Sequence, residues 1–191
     1  MNGRKTVFLD RDGTINVEKN YLYKVEEFEF IHGAIEAIKL FNENGFYVVV
    51  ISNQAGIARG FYTPNDVHIL HDFIQRELRK HNALIDAFFY CPHHPEGAVE
   101  IYRQNCNCRK PNTGMIELAE AKFSIDRNNS FIIGDLWSDI KLAENAGMKA
   151  VLVKTGYGQQ TLEQVEEKKL KITFDAENIL EAAKKIVDYR R

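Results

Sequence analysis

The sequence predicts a doubly wound α/β domain, a Rossmann-like parallel sheet between two layers of helices with no large cap domain. Three observations predict it. Short, almost continuously apolar runs recur along the chain, the pattern of strands buried on both faces. Segments with a single apolar helical face alternate with them. Polar and acidic residues follow several of these runs directly, at the carboxyl ends where open α/β sheets bind ligands.

The elements follow in order. Thr6-Val7-Phe8-Leu9 is the first strand. Residues 34–44 place apolar side chains at 34, 35, 37, 38 and 41 on one helical face, and Gly45 suits the C-terminal cap. Residues 46–51 form the second strand. Thr63 is an N-cap and Pro64 occupies the first position of a helix running towards Asn82. Residues 85–90 are the third strand. A helix then starts at Asn112 or Thr113 and ends near Lys122. The fourth and fifth strands, 130–133 and 150–153, flank a helix over 138–145 closed by Gly147. A terminal helix covers 176–189. Residues 11–32 and 91–111 break the alternation, and loops of that length inside a compact domain are usually functional.

The 191 residues suit one domain spanning 1–191. A net charge of −2 argues against nucleic-acid binding, which needs a basic surface. No stretch approaches the roughly 20 apolar residues that cross a bilayer. The polar start, Met1 to Lys5, leads straight into a strand, so no signal peptide is expected. The expected setting is the cytoplasm, with a monomer acting on a small molecule and neither membrane nor nucleic acid as partner. Three cysteines are too few, and odd in number, for a disulfide scaffold.

The chemistry concentrates after the strands. Asp10-Arg11-Asp12-Gly13-Thr14 follows the first, Ser52-Asn53-Gln54 the second, and Gly134-Asp135 the fourth, with Asp139 one helical turn on. One such Asp is as readily a turn former or a helix cap. Asp10, Asp12 and Asp135 gathered at one point would repel unless a cation neutralised them, and an all-oxygen set suits Mg²⁺. A carboxylate aimed at phosphorus beside that ion can attack it and form an aspartyl-phosphate. A second carboxyl can protonate the leaving oxygen and later take a proton from water. Ser52 and Asn53 offer neutral donors, and Arg109-Lys110 offers cations, for the phosphoryl oxygens.

Cys91-x-His93 and Cys106-x-Cys108 supply three sulfurs and an imidazole, the donor set of a closed structural Zn²⁺ site. His94 could replace His93. Zinc here would order residues 91–111 and restrict where Arg109 and Lys110 point. Other residues have plainer readings. His68, His71 and His81 read as surface or helix-packing residues, and Trp137 as a pocket wall or core residue. The charged run 163–171 reads as a solvated helix face. Arg59 either meets a phosphate or caps a local acidic group.

Asp10-Arg11-Asp12-Gly13-Thr14, Ser52, Lys110 and Gly134-Asp135…Asp139 together resemble, in order and spacing, the motifs of the haloacid-dehalogenase-like phosphatases. The likeness spans almost the whole chain. The segments 8–16 and 53–60, Cys91-Pro92-His93-His94-Pro95 and Cys106-Asn107-Cys108-Arg109-Lys110-Pro111 are similar to the heptose 1,7-bisphosphate 7-phosphatase family, a near relation of the histidinol-phosphatase domain.

The resemblance implies Asp10 as nucleophile and Asp12 as general acid/base. It implies Mg²⁺ on Asp10, the Asp12 backbone carbonyl and Asp135, and Zn²⁺ on Cys91, His93, Cys106 and Cys108. Ser52 and Lys110 would hold the phosphoryl group and Arg109 would recognise substrate. Asp10, Arg11, Asp12, Glu18, Lys19, Asn20, Tyr21, Ser52, Asn53, Gln54 and Ala55 would line the substrate pocket. The activity implied is removal of the 7-phosphate of a heptose bisphosphate, on the route to ADP- or GDP-heptose and lipopolysaccharide. One departure is Leu136, where the family often carries Lys. Histidinol-phosphate phosphatase is the alternative enzyme, sharing the Asp motifs and a comparable zinc loop. A receiver-like phosphoacceptor domain is the alternative outside catalysis. Its phosphoacceptor would end the third strand, whereas the acidic pair here follows the first.

Overall fold

The computed structural model describes residues 3–189; Met1, Asn2, Arg190 and Arg191, which the expected N-terminus and domain bounds include, lie outside the described residues. Six parallel strands form one sheet in the order β3-β2-β1-β4-β5-β6. They are β1 (Thr6–Leu9), β2 (Tyr47–Asn53), β3 (Ala87–Cys91), β4 (Phe131–Gly134), β5 (Lys149–Val153) and β6 (Phe174–Ala176). The helices are α1 (Ala34–Glu43), α2 (Ala55–Arg59), α3 (Pro64–Arg79), α4 (Gly114–Lys122), α5 (Trp137–Ala146), α6 (Gly158–Glu163) and α7 (Ile179–Val187).

Alternation along β1 sends its side chains into two cores. Val7 and Leu9 join Phe41 of α1, Leu70 and Ile74 of α3 and Ile186 of α7 on one face. Phe8 joins Met115 and Ile116 of α4 and Ile140 of α5 on the other. Both faces are covered, which is why the strands are apolar throughout. The strand order reverses between β1 and β4, so a crevice opens beyond the carboxyl end of β1.

Local chemistry sets the boundaries. Thr63 caps α3 as expected, reinforced by a reciprocal bond between the Thr63 backbone and Asp66. The terminal helix starts at Ile179 rather than 176, because the Asn178 side chain accepts from the backbone N–H groups of Leu180 and Glu181. Ala176, expected to open that helix, instead ends the edge strand β6. That strand, α2 and α6 escaped the sequence reading because three to six residues are too few to show a period. The charged run 163–171 is not a helix face: α6 ends at Glu163 and turns follow. The long segment 11–32 is anchored by buried Ile15, Leu22 and Ile31. Among the described residues no helix is long and apolar enough to cross a membrane.

Candidate active site

A pocket of about 590 Å³ lies beyond the carboxyl ends of β1, β2 and β4. Its floor is charged and buried. Asp10, Lys110, Asp135 and Asp139 are at most 6% exposed. Lys110 Nζ lies 2.9 Å from Asp10 Oδ1 and 2.6 Å from Asp139 Oδ1, and it donates to the Ile51 carbonyl at 3.0 Å. The Arg11 backbone N–H also donates to Asp10 Oδ1 (2.7 Å), so both contacts fall on that oxygen and not on Oδ2. Lys110 is itself fixed by Asn53, whose Oδ1 accepts from the Lys110 N–H and whose Nδ2 donates to the Lys110 carbonyl. Asn53 therefore lines the pocket with its amide committed to the protein, not free for a phosphoryl oxygen.

The carboxylates want a further positive charge. Burial pushes Asp10 up to about 7, against the pull of Lys110 and with the charge of Asp139 added. Burial and the charges of Asp10 and Asp139 push Asp135 up to about 8. Burial would lower Lys110, but Asp10 and Asp139 overcome it and keep the ammonium charged well above its usual range. Asp135 Oδ2 accepts from the Tyr157 N–H (2.8 Å), whereas buried Asp135 Oδ1 has no hydrogen-bond partner. One oxygen from each of Asp10, Asp135 and Asp139 falls within 4.8 Å of the others. Hard oxygens, an orphaned carboxylate oxygen and uncompensated charge fit a Mg²⁺ ion. Gly13 and Gly156, both at positive φ, leave room for Asp135, since a Cβ on either would run into its carboxylate.

Asp12 sits apart from this cluster. Its carboxylate accepts from the Arg11 guanidinium (2.9 Å), Asn16 (3.0 Å) and Gln54 (3.1 Å). Arg11, expected in the substrate pocket, is fully buried behind Asp12 and also donates to the Leu22 carbonyl. Lys19, expected there too, points to Glu29 and the Glu27 carbonyl, outside the pocket lining. The other expected pocket residues do line it: Asp10, Asp12, Glu18, Asn20, Tyr21, Ser52, Asn53, Gln54, Ala55, Arg109 and Lys110. Burial and the charge of Asp12 raise Glu18, whose carboxylate accepts from the Asn20 N–H.

Sequence reading missed several wall residues. Tyr157, whose N–H meets Asp135, and Tyr62, whose hydroxyl meets Gln54, both line the pocket, and motif logic does not single them out. Leu136 adds an apolar edge, and Trp137, expected as a pocket wall or core residue, does line the pocket, 42% exposed. Arg59 is not in the lining; its guanidinium lies over the Tyr21 ring, 6.0 Å from the centroid. Of the three histidines left aside, His68 bonds the Tyr90 hydroxyl and His71 stacks on Phe88, both as packing residues.

Residues 91–111 bring together Cys91, His93, Cys106 and Cys108. The separations are 3.4 Å for Cys91–Cys106, 3.2 Å for Cys106–Cys108, and 3.4 and 3.9 Å from His93 Nδ1 to Cys108 and Cys91. A tetrahedron with Zn–S of about 2.3 Å has edges of about 3.8 Å, close to this set. His94 is turned away, its Nδ1 accepting from the Glu96 N–H. The Arg109 guanidinium bonds the His93 carbonyl (3.2 Å), which ties the pocket wall to the cluster.

A HAD-hydrolase-like family model matches residues 107–182. The D-glycero-alpha-D-manno-heptose-1,7-bisphosphate 7-phosphatase of Photorhabdus laumondii is 45% identical over 154 residues, covering 80% of this chain and 84% of that one. The corresponding beta-anomer enzyme of Escherichia coli is 44% identical over 152 residues, covering 78% and 79%. The crystal structure of D,D-heptose 1,7-bisphosphate phosphatase from B. bronchiseptica, complexed with magnesium and phosphate, superposes with a TM-score of 0.85 at 31% identity, covering 96% of this chain and 98% of that one. Identity of this order across about four fifths of both chains, joined to the same fold, makes this chain a member of the HAD-like D-glycero-D-manno-heptose-1,7-bisphosphate 7-phosphatase family.

Proposed function

We propose that residues 1–191 form one catalytic domain that removes the 7-phosphate of D-glycero-D-manno-heptose 1,7-bisphosphate through an aspartyl-phosphate on Asp10. The observation that carries this reading is the buried Asp10–Lys110–Asp139 ion cluster beside Asp135, with Asp12 held separately at the same pocket. Asp10 Oδ2 attacks phosphorus. Lys110 and the Ser52 hydroxyl take up charge on the phosphoryl oxygens, already fixed in place before the reaction. Asp12 gives a proton to the leaving sugar oxygen, then accepts one from the water that opens the acyl phosphate. Asp10, Asp135 and the Asp12 carbonyl are the residues that would hold Mg²⁺, and that ion supplies charge neutralisation for the nucleophile and phosphoryl group. Asp139 serves Lys110 rather than substrate.

Zinc on Cys91, His93, Cys106 and Cys108 is structural in this reading, supported by the four-atom geometry and the absence of any open ligand position in the donor set. It steadies Arg109, which recognises the sugar's far side. Three free thiols grouped with an imidazole support a cytoplasmic setting, where such sets bind metal in place of forming disulfides. The test is phosphate release from both anomers of the heptose bisphosphate and from histidinol phosphate, with and without Mg²⁺. A higher kcat/KM on one heptose anomer, with no release without Mg²⁺, is expected. Preference for histidinol phosphate overturns the substrate assignment.

A further inference from the structure

Behind Asp12 lies a polar chain that no step above uses. The Gln54 side chain is buried and its amide is bonded at both ends. Gln54 Nε2 donates to Asp12 Oδ2 at 3.1 Å and to Ser52 Oγ at 2.7 Å. Gln54 Oε1 accepts from the Tyr62 hydroxyl at 2.6 Å and, more weakly, from Arg11 at 3.4 Å. Tyr62 is 7% exposed, and its ring packs where Gly56 has no side chain.

An amide has two chemically opposite ends that are nearly the same size, so packing alone does not choose between them. Turned by half a rotation, Gln54 would set its carbonyl oxygen against the Asp12 carboxylate and its NH₂ against Arg11. The Tyr62 proton would lose its acceptor in a buried site, at the cost of an unsatisfied donor. The correct orientation has two consequences for the chemistry. It anchors Asp12 Oδ2 from the side opposite Arg11. It also occupies a lone pair of the Ser52 hydroxyl, which leaves the Ser52 proton for a phosphoryl oxygen.

We infer that Tyr62 is a positioning residue: through its hydroxyl it locks the Gln54 amide, and the locked amide sets both Asp12 and Ser52 for phosphoryl transfer. This rests on the proposed roles of Asp12 and Ser52. Tyr62→Phe keeps the ring and removes one oxygen, so it isolates the lock from the packing.

The experiment uses the Mg²⁺- and Zn²⁺-loaded enzyme. Tyr62→Phe is expected to lower kcat on the heptose bisphosphate about tenfold with KM within about twofold, a share of the general acid/base contribution. Gln54→Met should lose a similar amount, and adding Tyr62→Phe to it should cost nothing more, since the two act in one chain. If Tyr62→Phe unfolds, Gln54→Met alone must show the kcat loss with KM preserved.

A readout independent of turnover is exchange of the ¹⁵N-labelled Gln54 side-chain NH₂ protons, protected in the wild type and rapidly exchanging in Tyr62→Phe. Unprotected wild-type protons, a multiplicative double variant, or a Tyr62→Phe enzyme altered only in KM would overturn the lock. An Asp10→Asn enzyme that still turns over would instead defeat the underlying site reading, while leaving the exchange result to decide the lock.

Discussion

The two functional regions are built by opposite means. The acidic centre is made by the sheet: Asp10 and Asp135 leave the ends of adjacent strands β1 and β4, and Asp139 sits in the first turn of α5, all almost without solvent exposure. The cysteine loop has little core of its own. His93, Cys106 and Cys108 are only half-buried, and Ile101 in the same loop is 73% exposed. In the first region a rigid scaffold forces like charges together and so creates a demand for cations. In the second, the donor atoms themselves must create the rigidity. Lys110 joins the two, leaving the loop and entering the acidic centre.

The largest break falls on Asp10, the proposed nucleophile. Asp10→Asn should reduce phosphate release by at least about 10³-fold while circular dichroism and Tm stay near wild type, since the amide keeps the shape and lightens the charge repulsion. A small loss would place the chemistry elsewhere. Next comes the shared cation. Lys110→Met leaves Asp10 and Asp139 buried without their counter-charge and should destabilise the Mg²⁺-free protein by roughly 3–5 kcal/mol in denaturant titrations. Added Mg²⁺ should return part of that stability, and an unchanged midpoint would refute the electrostatic coupling of loop to centre.

Cys106→Ser tests the loop. Zinc content should fall, the thermal midpoint should drop by about 4–8 °C, equivalent to roughly 2 kcal/mol, and KM should rise more than kcat falls. Full stability and kinetics with no bound zinc would remove any structural role for the metal.

The smallest effect probes burial without a ligand. His71 is pressed on Phe88, and burial, aided by the charges of Arg11 and His68, lowers it from 6.5 to about 3. The unfolded chain then binds a proton that the folded chain refuses, so this stability is present above about pH 6.5 and is lost as pH falls towards 3. His71→Phe should remove that slope. Relative to its value at pH 7, the wild type should lose up to roughly 2 kcal/mol more than the variant by pH 5. Parallel stability–pH curves would contradict it.

Much of this was legible beforehand for specific reasons. The apolar runs of β1 and β2 and the Thr63-Pro64 start of α3 are local signals, and each survives in the fold. The cysteine and histidine spacing is local too; it left His93 and His94 both open, and the fold turns His93 to the sulfurs. What sequence could not give is the direction in which a side chain turns. Arg11 stands between two acidic pocket residues yet points backwards into the core, and Asn53 turns its amide onto Lys110. Tyr157 reaches the site from the loop after β5, where its N–H meets Asp135 at the end of β4, a consequence of strand order, whereas Tyr62 meets Gln54 from eight residues away, a contact that no motif marks.

The most direct test of the acidic centre's chemistry is rapid acid quench during turnover of the heptose bisphosphate, followed by mass mapping of the phosphorylated residue. Phosphate should appear on Asp10, vanish when Mg²⁺ is withheld, and accumulate in Asp12→Asn, where hydrolysis of the acyl phosphate lacks its base. Phosphate on another residue, or steady turnover with none trapped in either enzyme, would contradict the assignment of Asp10 as nucleophile and Asp12 as its acid/base partner.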